Sequence, residues 1–273
     1  ENSLKRLQTD YMDLYQLHWP SRGVNCFGVR DYPYKTASKE AENHLEILET
    51  LSDFIKQGKI KYIGLSNETP WGTMKYLQAS EQYNLPKPVT IQNSYSLIHR
   101  GYEVGMSEVS MRENIGLLAY SPLGFGVLSG KYINGNMPEG SRLKLYPNLN
   151  RFAGEQSMEA TKMYMEIAVK YGISLTHISL AFVNRRPFVT SNIIGASKLN
   201  PLKENIDSIN VKLSPEILEE IKGATSDAES LQMTASLLGK YQAIYGAPNP
   251  SMSSFDGSLV ALDGEEAPTC KFS

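Results

Sequence analysis

The alternation of short apolar runs with longer amphipathic segments is the feature that most constrains the fold of this chain. Runs of apolar or β-branched residues recur along the sequence, and the intervals between them repeat apolar residues at helical spacing. In βα units, parallel strands are joined by crossover helices with this pattern. The sequence therefore predicts an α/β fold built around a parallel sheet.

Five strands and several helices are predicted. The strands are Met12–Leu17, Tyr62–Leu65, Val89–Gln92, Gly116–Ala119 and Asn192–Ile194. The helices are Ala41–Gln57, Pro70–Tyr83, Gly101–Arg112, Glu159–Tyr171 and Leu175–Asn184, with two more starting at Asn200-Pro201 and Ser214-Pro215. From about Ala224 the residues become small and polar, which predicts a domain over residues 1–223 and a loosely ordered tail over 224–273.

Composition limits the classes of partner. The chain has 27 basic and 29 acidic residues and a net charge of -2, which argues against a nucleic-acid partner. Its two cysteines, Cys26 and Cys270, form neither a disulfide framework nor a zinc motif, so no metal is predicted and a reducing compartment, the cytoplasm, is expected. The sequence contains no membrane-spanning apolar run and does not predict the oligomeric state.

Polar residues follow each predicted strand. They are His18, Ser66-Asn67, Gln92-Asn93-Ser94, Tyr120-Ser121-Pro122 and Gly195-Ala196-Ser197. Taken singly, a histidine is more often a structural hydrogen bonder and Ser-Asn is ordinary turn chemistry. In a parallel barrel, however, these ends converge on the face where active sites are built. Together they predict an active site.

Five segments carry a resemblance to a known family. They are SLKRLQTDYMDLYQLHWP, GKIKYIGLSNET, VTIQNSYS, AYSPLGFGVLSGKY and IIGASKLNPLKENI. In this order and spacing they resemble the aldo-keto reductase superfamily, in the branch related to potassium-channel β subunits. The resemblance implies an eight-stranded (β/α) TIM barrel, of which these segments are similar to the fourth to eighth strands. It also implies an NADPH-dependent enzyme that reduces aldehydes or ketones, with a small-molecule carbonyl substrate.

The resemblance assigns roles at the nicotinamide end of the cofactor site. His18 resembles the histidine that orients the substrate carbonyl. Ser66, Asn67 and Gln92 resemble the residues that hydrogen-bond the nicotinamide carboxamide. Tyr120 resembles the aromatic residue that stacks on the nicotinamide ring.

The resemblance extends to the phosphate and adenosine ends. The loop around the pyrophosphate is matched by Ser121, Pro122, Leu123, Gly124 and Gly126, and its basic contacts by Lys131 and Arg142. The adenosine end is matched by Gly195, Ser197, Lys198, Glu204 and Asn205. Relatives carry Arg or Gln where this chain has Pro201, which leaves the choice between NADPH and NADH open.

The family's general-acid tyrosine and the lysine and aspartate that tune it are not matched. The resemblance implies that they belong to the first three strand regions, before Ser3, and that this chain is an N-terminally incomplete form. Two alternatives stay open. One is a non-catalytic NADP(H)-binding module resembling the channel β subunits, and the other is a fragment without a stable fold.

We expect the polypeptide as given to be inactive, because the proton donor of the family's reaction has no counterpart in it. The check is oxidation of NADPH by the purified chain in the presence of a generic aromatic aldehyde. Measurable turnover would contradict this expectation.

Overall fold

The computed structural model describes residues 1–25, 32 and 43–224. The described residues belong to one compact unit of the chain. The described residues do not include the predicted tail beyond Ala224, the two cysteines, or the first residues of the predicted helix Ala41–Gln57.

One parallel sheet of five strands runs through the described residues, in the order of the chain. The strands are β1 (Met12–Gln16), β2 (Ile60–Ser66), β3 (Thr90–Ser94), β4 (Gly116–Tyr120) and β5 (Val189–Asn192). Ser66 pairs with Gln92, and Ser94 pairs with Tyr120. Because all neighbouring pairs are parallel, the carboxyl ends of the strands lie along one edge of the sheet.

Helices precede β1, occupy each interval between the strands and follow β5. They are α1 (Asn2–Leu7), α2 (His44–Lys56), α3 (Pro70–Gln82), α4 (Met106–Glu113), α5 (Arg142–Leu145), α6 (Glu155–Tyr171), α7 (Leu175–Asn184), α8 (Leu199–Asp207) and α9 (residues 215–224). Short 3₁₀ segments cover Gly101–Glu103, Gly124–Ser129, Ile133–Gly135 and Ser208–Asn210. Side-chain caps fix two of the starts: the Thr69 hydroxyl accepts from the Gly72 N–H, and the Ser174 hydroxyl from the His177 N–H.

The core lies between the sheet and these helices. Ile91 of β3 and Leu117 of β4 are fully buried, as are Leu48 of α2 and Ile178 of α7. Helices cover a parallel sheet because its apolar side chains must leave water. This α/β arrangement confirms the predicted parallel sheet and is consistent with a (β/α)8 barrel.

Several predicted boundaries were wrong. Helix α6 begins at Glu155 rather than at Glu159. β5 is Val189–Asn192 rather than Asn192–Ile194. The prediction was displaced because most residues of the strand are polar, whereas the apolar Ile193 and Ile194 follow it. Helix α8 begins at Leu199, with Lys198 rather than Asn200 at the N-cap. Pro201 then lies in the first turn, where its missing N–H would have had no intrahelical partner. The helix start after Ser214 is confirmed.

We expect the Leu117→Ala substitution to lower the free energy of unfolding by about 2–5 kcal/mol, because it opens a cavity beneath fully buried neighbours. The measurement is urea unfolding followed by circular dichroism. Leu199→Ala is the control, since Leu199 is 64% exposed, and it should change the free energy by less than about 0.5 kcal/mol. Equal effects of the two substitutions would contradict the assigned core.

Candidate active site

The polar residues predicted after the strands lie along one edge of the sheet. His18 follows β1 by two residues, Ser66 and Tyr120 end β2 and β4, and Gln92 lies within β3. The fifth group, Gly195-Ala196-Ser197, follows β5 at a greater distance along the chain than predicted, because β5 ends at Asn192. The parallel topology therefore gathers residues that lie far apart in sequence.

Asn67 is the centre of the hydrogen bonding at this edge. Its side-chain amide donates to the carbonyl oxygen of His18 at 2.8 Å and to the hydroxyl of Ser66 at 3.1 Å. Its side-chain oxygen accepts from the Tyr120 hydroxyl at 2.7 Å. Asn67 adopts a left-handed backbone conformation (φ 54°), which asparagine tolerates better than most residues. One side chain thus joins the ends of β1, β2 and β4.

Ser66 and Gln92 extend this network to β3. The Ser66 hydroxyl donates to the Gln92 carbonyl oxygen at 2.8 Å. The Gln92 side-chain amide donates to Gln16 at 3.0 Å, and the Gln16 amide donates to the Leu65 carbonyl oxygen at 3.3 Å. Sequence reasoning missed Gln16, which precedes His18 by two residues. Its only signal was a polar residue at the end of a predicted strand.

The loop after β4 contains a concentrated run of left-handed backbone. Ser121, Gly124, Phe125 and Gly126 all have positive φ, between 53° and 91°. Pro122 is buried and Leu123 partly buried between them. A Cβ on Gly126 would lie 2.8 Å from the Lys131 Nζ, so glycine there leaves room for the ammonium group. Successive backbone N–H groups in such conformations form concave sites that suit anions.

Cationic side chains surround this loop. The guanidinium carbon of Arg142 lies 4.4 Å from the centroid of the Phe125 ring. The guanidinium carbon of Arg151 lies 5.2 Å from the same ring and 5.5 Å from the Tyr120 ring. Burial, and after it the charge of Arg151, lowers the pKa of His99. The surroundings of the loop are electropositive, and Arg151 is a member that sequence reasoning missed.

The residues predicted for the adenosine end form a second group. Gly195, Ser197 and Lys198 are exposed. The Glu204 carboxylate accepts a hydrogen bond from the Ser174 hydroxyl at 2.7 Å, at the start of α7.

Asn205 is buried, and its carbonyl oxygen accepts from the Ser208 hydroxyl at 2.6 Å. In the part of the chain that the structure describes, no side-chain hydrogen bond joins this second group to the network around Asn67. The structure therefore brings the residues predicted for the nicotinamide end into direct contact and leaves those predicted for the adenosine end as a separate set.

Comparison with known proteins identifies the family. A model of the aldo/keto reductase family matches residues 1–225. The chain is an aldo/keto reductase family member. It is 49% identical over 221 residues to the protein Tas of Escherichia coli, an alignment that covers 81% of this chain and 64% of Tas. The chain therefore spans slightly less than two thirds of that relative.

Two further relatives have more explicit names. An aldo-keto reductase of Babesia bovis is 38% identical over 218 residues, covering 76% of each chain. A putative voltage-gated potassium channel subunit beta of Schizosaccharomyces pombe is 30% identical over 227 residues, covering 80% of this chain and 60% of that protein. The predicted membership of this family, and of its branch that includes Tas and channel β-like proteins, is confirmed.

The described residues offer neither a membrane-spanning helix nor a metal-binding cluster. Among the helices described, none has the length and apolarity that crossing a bilayer requires. The described residues also contain no cluster of three or more His, Cys, Asp or Glu side chains that could bind a metal ion.

We expect Tyr120→Phe to lower the free energy of unfolding by about 0.5–1.5 kcal/mol, because it leaves the side-chain oxygen of Asn67 without its donor. The measurement is the shift of the urea midpoint at constant m value. Tyr62→Phe is the control, since Tyr62 is exposed and makes no side-chain hydrogen bond with the described residues. A Tyr120→Phe variant as stable as the wild type would contradict the role of this bond.

Proposed function

We propose that this chain is part of an NADP(H)-dependent oxidoreductase that reduces an aldehyde or ketone to an alcohol. The observation that carries the proposal is the joined set of Tyr120, Asn67 and His18 at the carboxyl edge of the sheet, next to an electropositive loop of left-handed backbone. Membership of the aldo/keto reductase family supports an enzyme of this class. We further propose that β1 to β5 are the fourth to eighth strands of a (β/α)8 barrel, with the domain ending near residue 223.

The residues present suit a nicotinamide. Two buried side-chain oxygens near the end of β3, on Asn93 and Ser94, have no hydrogen-bond partner among the described residues. Buried polar atoms normally have a partner, so polar ligand groups would be well accommodated here. In the proposal, Ser66, Asn67 and Gln92 hydrogen-bond the carboxamide. Tyr120 offers a ring face whose tilt is held by its bond to Asn67.

The proposed phosphate subsite is the loop from Ser121 to Gly126. Its glycines allow backbone N–H groups to approach phosphate oxygens closely, and Lys131 and Arg142 add positive charge. The proposed adenosine subsite comprises Gly195, Ser197, Lys198, Glu204 and Asn205. Lys198 and Ser197 are exposed and are suited to a 2′-phosphate, which is why we favour NADPH over NADH despite Pro201.

A bound nicotinamide cofactor would supply the hydride, and the chain's own residues would hold the reactants. His18 is exposed at the edge, and its backbone is fixed by the bond from Asn67. Its imidazole can donate a hydrogen bond to a carbonyl oxygen and so hold the carbonyl carbon at the distance that transfer requires. The alkoxide formed by hydride addition would take its proton from the general-acid tyrosine that the family resemblance implies, a role that we propose for none of this chain's 16 tyrosines.

The proposal predicts that the purified chain binds NADPH, measured by the change in cofactor fluorescence on titration. Tyr120→Ala should raise the dissociation constant about tenfold, the equivalent of about 1.4 kcal/mol, because it removes the stacking surface. Tyr120→Phe keeps the ring and should change the constant less than about threefold.

The control is Tyr62→Ala, on the exposed side of β2, which should bind NADPH like the wild type. Absence of NADPH binding by the folded wild-type chain would overturn the proposal. Binding without turnover, together with co-purification of a membrane channel, would favour the alternative of a regulatory module resembling the channel β subunits.

A further inference from the structure

A buried ion pair joins the loop after β1 to the start of α3. Arg22 donates two hydrogen bonds to the two carboxylate oxygens of Glu68, one of them 3.0 Å long. The Glu68 side chain is 3% exposed and that of Arg22 is 16% exposed. Ion pairs elsewhere in the described residues are more exposed. The side chains of Lys61 and Asp13, for example, are 50% and 72% exposed. The Arg22–Glu68 pair is therefore unusual for its burial.

Further hydrogen bonds and a ring contact surround the pair. The Glu68 carboxylate also accepts from the backbone N–H of Thr69 at 2.7 Å. Arg22 donates to the Thr69 hydroxyl at 3.1 Å, and the same hydroxyl caps α3. The Arg22 guanidinium carbon lies 4.9 Å from the centroid of the Trp71 ring. A buried carboxylate is tolerated only with such partners, so the geometry of the pair is tightly specified.

The backbone also leaves space for this pair. A Cβ on Gly72 would lie 2.3 Å from both the Arg22 Nη2 and the Glu68 Oε1. Any larger residue at position 72 would displace the pair. Glycine is otherwise unfavourable within a helix, so its presence at this position of α3 has a structural reason. The residue choice at position 72 thus follows the position of the two charged groups.

Both segments that the pair connects, the loop after β1 and the turn after β2, also contribute residues to the proposed nicotinamide site. Arg22 is four residues beyond His18, and Glu68 directly follows Asn67. Asn67 itself donates to the His18 carbonyl oxygen, and Asn93 donates to the Glu68 carbonyl oxygen at 3.0 Å. The loop after β1 and the end of β2 are therefore connected twice, once at His18 and once at Arg22.

We propose that the Arg22–Glu68 ion pair is a positioning device for the nicotinamide end of the site. It holds the loop that carries His18 against the turn that carries Asn67, and so fixes where the carboxamide and the substrate carbonyl are bound. This inference rests on the proposed function. Arg22 and Glu68 act through their neighbours and touch neither the cofactor nor the substrate.

The test compares two ligands that differ at the nicotinamide end. NADPH contains both ends of the cofactor, whereas adenosine 2′,5′-bisphosphate contains only the adenosine end. We expect Arg22→Met to raise the dissociation constant of NADPH about tenfold, the equivalent of about 1.4 kcal/mol, and that of adenosine 2′,5′-bisphosphate less than about twofold. Lys61→Met, which breaks an exposed ion pair between β1 and β2, is the matched control and should change neither constant.

Two further variants separate positioning from stability. Arg22→Met alone leaves a buried carboxylate without its cation, so it also lowers the melting temperature. The double variant Arg22→Met, Glu68→Met removes both charges and should recover most of the melting temperature while the NADPH constant stays raised. Arg22→Lys keeps the charge without the two-point contact and should recover the NADPH affinity only in part.

Three outcomes would overturn the inference. They are an equal loss of affinity for both ligands, an unchanged NADPH constant in Arg22→Met, and wild-type NADPH affinity in the double variant. A wild-type chain that binds adenosine 2′,5′-bisphosphate but not NADPH would overturn the proposed function itself. The two failures are therefore distinguishable.

Discussion

Hydrogen bonding between parallel strands decides where the chemistry of this chain lies. Because each strand pairs with its neighbour in the same direction, the carboxyl ends of neighbouring strands lie side by side. Ser66 opposite Gln92 and Ser94 opposite Tyr120 follow from this register. A shift of one residue would turn these side chains to the other face of the sheet. The active-site edge thus depends on the same hydrogen bonds that hold the core together.

The sequence pattern predicted the sheet well where strands are apolar and poorly where they are polar. β1 to β4 were found close to the predicted positions because their buried residues, such as Ile91 and Leu117, leave a clear signal. β5 was displaced because Val189 is followed by Thr, Ser and Asn, and its strand character comes from pairing with β4 rather than from its own composition. Pairing energies between distant segments have no local signature.

The contacts within the site show the same limit. The family resemblance identified Asn67 as a site residue. The sequence did not show that its side-chain nitrogen and oxygen form hydrogen bonds with His18 and Tyr120, which are 49 and 53 positions away. Gln16 and Arg151 escaped prediction because a single polar or basic residue has no distinctive spacing. What brings them to the site is tertiary packing, which places Gln16 beside Gln92 and Arg151 beside the Tyr120 ring.

Exposed and buried ion pairs have different roles in this structure. Exposed pairs such as Lys56 with Asp53 are screened by water and contribute little to stability. The Arg22–Glu68 pair is largely shielded from water, and its two-point contact is directional, so it can hold a loop in one orientation where apolar packing would permit several. A buried ion pair contributes little net stability compared with apolar side chains of similar volume. Its presence four residues from His18 is therefore better explained by the geometry that it imposes than by the stability that it adds.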